Sequence, residues 1–121
     1  MTRPRAYRVH TRDAQPVLDD CRPAHTHWTR LRGLIGRPPL GPRQGLWIRP
    51  CRQVHMFWMR YPLDVVFLDG DHRILHVEPD LQPGRLSPKI AGAGSVIEMA
   101  AGAAAAHGLR AGDQLSIEPA A

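Results

Sequence analysis

The sequence predicts a mainly β domain, α+β by content. It should be a small antiparallel or mixed β-barrel or sandwich of about seven short strands, with one or two helices packed on it. Three observations predict this. Twelve prolines and eleven glycines among 121 residues break the chain too often for many helices. Short runs rich in β-branched and aromatic residues recur along it. Strands and helices do not alternate as βαβ units, and there is no internal repeat.

The elements follow in order. "RAYRVH" reads as a first strand, because Tyr7 and Val9 alternate with polar neighbours. "PVLDDCRPAHTHWTRLRGLIGRP" is expected to hold the first helix: Trp28, Leu31, Leu34 and Ile35 share one helical face. Gly33 or Gly36 should end it, since Pro38-Pro39 cannot continue a helix. "PPLGPRQG" is a loop, and "GLWIRP" and "QVHMFWM" are strands. "LDVVFLD" is apolar on both faces and reads as a buried central strand. The Asp-Gly chemistry of "DGDH" turns the chain into "RILHVEP". "LQPGRLSPKIAGAG" is a long connection and "SVIEM" a strand. "AAGAAAAHG" is a short alanine-rich helix closed by Gly108, and "LRAGDQLSIEP" supplies a turn and a last strand.

The length fits one domain spanning 1–121. A chain of this size buries about two thirds of its unfolded surface and needs no disulfide or metal to fold. The opening "MTRPRAYRVHTRD" is basic with no apolar run behind it, so no secretory signal is expected. No stretch approaches the roughly 18 apolar residues of a membrane span. Cys21 and Cys51 are too few for a disulfide framework. The expectation is a cytoplasmic protein with free thiols, no cofactor and no membrane partner.

The net charge of +5 is unevenly spread. Residues 1–60 carry +9 and residues 61–121 carry −4, and between Cys21 and Leu63 there are eight arginines and no acid. This pattern fits an anionic small molecule or an acidic macromolecule held on an Arg-rich face. Fifteen arginines against one lysine, with many alanines, is also what a GC-rich genome writes. Nucleic acid is a weaker reading. The stripe from Arg30 to Arg60 has charge, but no phosphate loop, helix-turn-helix pattern or RNP-like aromatic strand goes with it. "GLIGRPPLGPRQG" lacks the Gly-Lys-Ser/Thr of a nucleotide loop.

Three stretches resemble a known family: "TRLRGLIGRPPL", "GLWIRPCRQVHMFWMRYPLDVVFLDGDHRILHV" and "SVIEMAAGAAAAHGLRAGDQL". The pattern looks like the widespread prokaryotic domain of unknown function 192, over about residues 29–117, with an N-terminal strand and the approach to the first helix in 1–28. The most specific parts are the Pro-Cys pair, Val-His, Phe-x-Met and the Pro-Leu-Asp-Val-Val-Phe-Leu-Asp run. Trp58 stands where relatives often carry Phe. The resemblance implies a compact, mostly β domain and no particular activity.

Cys51, His55 and Asp64 are the residue types of a Cys-His-acid relay. On a strand, however, His55 lies about 13 Å from Cys51, and a hairpin turning at Arg60-Tyr61-Pro62 sets Asp64 opposite Phe57 or Trp58. The plainer reading is a buried thiol and a core histidine. A metal would draw on Cys21, His25, His27, Cys51 and His55. Cys21 and His25 would share a helical face, but the spacing matches no zinc signature, so no metal site is expected. Asp64 heads a buried strand and must be paired; Arg49, Arg52, Arg60 or the backbone of residues 60–62 are the expected partners.

Met56, Phe57, Trp58, Met59 and Tyr61 form core or one wall of an apolar groove. On a strand, Val54, Met56 and Trp58 would face one way and His55, Phe57 and Met59 the other. The expected site is ligand-binding, with His55 at its wall and Arg52, Arg60 and Trp58 around it. The leading expectation is a small non-enzymatic binding or accessory domain for an anionic or small-molecule ligand. Two others are carried: an enzyme using His55 as acid or base on a small anionic substrate held by Arg60 or Arg52, and a binder of nucleic acid or acidic protein.

Overall fold

A computed structural model describes residues 4–24 and 38–120. Seven strands form one curled sheet: β1 (Tyr7–Thr11), β2 (Pro16–Ala24), β3 (Gln44–Ile48), β4 (Leu63–Leu68), β5 (Ile74–Leu81), β6 (Ser95–Ala100) and β7 (Leu115–Pro119). One short helix, α1 (Ala103–Ala106), follows β6. The spatial order is β5-β4-β6-β3-β2-β1-β7. Every pairing is antiparallel except β2 with β3. A parallel neighbour needs a crossover of about a dozen residues or more, and the stretch 25–43 supplies it.

The sheet curls enough for its two outer strands to meet at one end. Ile74 N–H donates to Asp113 O (2.8 Å), Gly112 N–H to Ile74 O (2.7 Å) and Leu115 N–H to His72 O (3.0 Å). Arg73 and Gln114 form a bridge there. The result is a half-barrel with two cores. Inside the curl, every strand contributes: Val9, Leu18, Cys21, Trp47, Val66, Ile74, Ile97, Met99 and Leu115, closed by Ala103 and Ala104 of α1. Outside it, Leu46, Ile48, Leu63, Val65, Phe67, Leu81 and Val96 are covered by Cys51, Val54, Met56 and Met59. β4 is buried along its whole length because it carries both cores, as the apolar series Val65, Val66, Phe67 and Leu68 predicts.

Gly45 of β3 is required by close approach. A Cβ there would lie 2.8 Å from Glu98 O on the neighbouring strand and 2.6 Å from Leu18 Cδ1.

Two expectations are corrected. The stretch from Pro16 begins as strand β2, not as the approach to a helix. The expected helical face at Trp28, Leu31, Leu34 and Ile35 lies outside the described residues. "QVHMFWM" is not a strand: residues 49–62 form a loop whose one strand-like contact is an isolated bridge, His55 with Leu86. Trp58 adopts φ 66°, which breaks the expected alternation. Val54, Met56 and Met59 therefore point inward, while Phe57 and Trp58 point out.

Candidate functional site

The loop 50–62 is laced to the loop 82–94. Met56 N–H donates to Arg85 O (2.8 Å), Gly84 N–H to Met56 O (2.8 Å), Ser87 N–H to Val54 O (2.8 Å) and Ile90 N–H to Arg52 O (2.9 Å). The buried Ser87 hydroxyl accepts from Val54 N–H (2.8 Å) and donates to Pro88 O (2.9 Å). Gln53 Nε2 donates to Ser87 O (3.0 Å). Below, Cys51, Val54, Met56 and Met59 anchor the first loop in the outer core. Such cross-bonding fixes an irregular backbone nearly as firmly as a ladder does.

What the loops present outward is unusual. Phe57 is 42% exposed, Trp58 72% and Leu86 58%, and these are the exposed large hydrophobics of the described residues. The half-buried His55 ring stacks on Phe57 at 5.0 Å and 22°. Trp58 stands across both, at 88° to His55 and 76° to Phe57. A bulky side chain in the left-handed region costs about 1–3 kcal/mol, and Trp58 makes little core contact to offset that. The loops also carry Arg52, Arg60, Arg85 and Lys89, all exposed, and no acid. Among the described residues no carboxylate pairs with these four, whereas Arg22 and Arg43 are engaged by Asp20 and Asp19. Arg49 lies 3.9 Å over the Trp47 ring. Part of the expected arginine stripe is thus already taken, and Arg30, Arg32 and Arg37 lie outside the described residues.

The structure does not assemble a relay from Cys51, His55 and Asp64. Cys51 belongs to the outer core and its thiol donates to Gln53 O (3.2 Å). Asp64 is 1% exposed on the other face of the sheet. Its Oδ1 accepts from Asp80 N–H (2.8 Å), and its Oδ2 from Gly102 N–H (3.0 Å) and Ala104 N–H (2.9 Å). None of Arg49, Arg52, Arg60 or the 60–62 backbone is its partner. Asp64 instead caps α1 from a neighbouring strand, because Gly102 at the cap position has no side chain to do so. With its oxygens committed to three backbone donors, Asp64 is structural.

The metal alternative gains nothing here. Cys21 sits inside the curl on β2, so it shares no helical face with His25; His25 and His27 lie outside the described residues. Burial pushes the Cys21 thiol up to about 12, with Asp20 adding to the effect. Its surroundings favour the neutral thiol, which suits a buried core residue. Among the described residues no group of three or more His, Cys, Asp or Glu converges.

The four expected ligand-binding residues, Arg52, His55, Trp58 and Arg60, all lie on the loop 50–62, with Arg52, Trp58 and Arg60 exposed and His55 half-buried. Sequence reasoning missed Phe57 as an exposed residue, and it missed Leu86, Arg85 and Lys89. The acid-free run from Gln82 to Gly94 was the signal that could have pointed to the last two.

No helix among the described residues is long and apolar enough to cross a membrane. No curated protein matches the chain significantly. Two crystal structures share its fold. A protein of unknown function from Novosphingobium aromaticivorans superposes with TM-score 0.76 at 23% identity, covering 91% of this chain and 82% of that one. A Sinorhizobium meliloti protein, provisionally named a transcription regulator, gives TM-score 0.73 at 25% identity, covering 92% and 91%. The family model for domain of unknown function 192, described as an uncharacterised ACR, matches residues 8–117. From Arg8 to Ile117, then, the chain is a member of the domain of unknown function 192 family.

Proposed function

We propose that this chain is a non-enzymatic binding domain of 121 residues that takes an anionic ligand on the two laced loops. His55, Phe57, Trp58 and Leu86 form the apolar centre, with Arg52, Arg60, Arg85 and Lys89 around it. One observation carries this reading: the exposed large hydrophobics of the described residues gather on loops that hold four cations and no acid. A contiguous apolar patch with a polar rim is the usual mark of an interaction surface. Two free thiols, both buried, support a reducing compartment, and we place the protein in the cytoplasm.

The test is retention on immobilised heparin, a generic polyanion. The wild type should elute at clearly higher salt than an Arg52→Gln/Arg60→Gln/Arg85→Gln variant of equal melting temperature. Equal elution would refute the reading.

A further inference from the structure

We infer that the partner on this platform is single-stranded nucleic acid, with a base stacked on the exposed Trp58 ring and phosphates held by Arg52, Arg60, Arg85 and Lys89. This rests on the binding reading above. Four features carry the step from "anion" to "base plus phosphate".

The rings are ordered in advance. His55 and Phe57 already stack at 5.0 Å, and Trp58 stands nearly perpendicular to both. A base stacked on the exposed indole would stand nearly perpendicular to the His55 and Phe57 planes. Little side-chain freedom is then lost on binding.

Trp58 occupies a turn position that glycine or asparagine fills at less cost. Its φ of 66° is held by Met59 N–H donating to Met56 O (3.2 Å), within loops pinned to each other on both sides. A strained residue that is 72% exposed gains almost nothing from its own core. The turn makes sense as a device for presenting the ring.

The cations share the two laced loops with the rings. Arg60 is two residues beyond Trp58, Arg85 adjoins Leu86, and the Arg52 and Lys89 segments are tied together through Ile90. Rings and cations on one surface are what a flexible, unpaired strand needs, because every base has a stacking face and every nucleotide a phosphate.

Among the described residues no helix is long enough to read a duplex groove. α1, the one helix among the described residues, has four residues, too short to lie in a groove. Stacking rings are also useless to bases already stacked in a duplex. An anionic lipid surface would use the same charges, but it has no need of rings held rigid at right angles.

The experiment measures anisotropy of two labelled 15-mers at low salt. One is oligo(dT) and the other an abasic strand of equal charge. Wild-type protein should bind oligo(dT) at least about tenfold more tightly than the abasic strand. Trp58→Gly, which suits the left-handed turn, should erase most of that ratio; Trp58→Asn, also tolerant of that conformation, should do the same and covers any loss of folding by the first variant. Equal wild-type affinity for the two strands would overturn this inference while leaving a polyanion platform standing. Binding of neither strand, with no heparin retention, would overturn both. Phosphatidylserine vesicles bound more tightly than oligo(dT) would assign the platform to a lipid surface and overturn the nucleic-acid reading.

Discussion

Asp64→Ala removes the acceptor of three backbone N–H groups at once: Asp80, Gly102 and Ala104. Each bond to a charged acceptor is worth about 1.5–3 kcal/mol net, though the three do not add. Water can reach the partly buried donors, but Ala104 N–H lies in a buried contact and would be orphaned. A loss of about 3–5 kcal/mol follows, the range for removing one side of a buried charged contact. At about 4 °C per kcal/mol for a chain of this length, the melting temperature should drop by roughly 12–20 °C. Asp64→Asn separates charge from shape. Its one oxygen still accepts, but its NH2 faces a donor, so about 2 kcal/mol should go. The assay is urea unfolding at neutral pH, with hydrogen exchange at Ala104 as the local readout. An Asp64→Ala variant within about 1 kcal/mol of wild type would refute the capping account, and so would full stability in Asn.

Three further outcomes are expected. Gly45→Ala should cost about 1–3 kcal/mol, read by urea midpoint, because the new methyl meets the backbone carbonyl of Glu98. Trp58→Gly should leave the melting temperature unchanged or raise it slightly, since it relieves φ 66° and uncovers little core; a large drop would mean the ring packs the fold. Stability should also fall at both pH extremes. The Cys21 pKa is raised in the fold, so its contribution is complete below the unfolded value near 9 and is lost as pH climbs toward about 12. The Asp69 pKa is lowered, chiefly by the Arg73 N–H, so its contribution holds above the unfolded value near 3.8 and fades as pH falls below it. A urea series from pH 3 to 11 that shows no decline at either end would contradict these assignments.

The sequence made most of the strands legible because their chemistry is local. β1, β3, β4, β5, β6 and β7 each carry alternating or unbroken apolar runs, and Gly108 closes α1 as composition suggests. β2 was hidden by its own irregularity. Its buried residues, Val17, Leu18, Cys21 and Ala24, fall at a spacing close to that of a helix, because register shifts interrupt its pairing with β1. The 51–59 loop misled in the opposite way. It is rich in β-formers, yet its buried positions Cys51, Val54, Met56 and Met59 have no period of two. Asp64 was legible as a buried acid needing partners, but the donors come from 16, 38 and 40 residues away. Such distant pairings leave no mark in local spacing. The proposed platform was half legible for the same reason: Arg52, His55, Trp58 and Arg60 sit in one run, while Arg85, Leu86 and Lys89 arrive from a loop that only folding brings alongside.

The pairing of β1 with β7, Tyr7 opposite Pro119 through Thr11 opposite Leu115, has a consequence for the order of events at the ribosome. At about 5–20 residues per second, roughly 5–20 s separate synthesis of the two strands. Throughout that interval β1 has β2 on one flank and a bare edge on the other, and the start of β5 lacks the Asp113 and Gly112 backbone that later holds it. Nascent chains therefore pass through a stage with an open template for pairing with one another. Slow translation of the β7 segment should favour aggregation, and a stalled chain ending before Leu115 should be a substrate for chaperones.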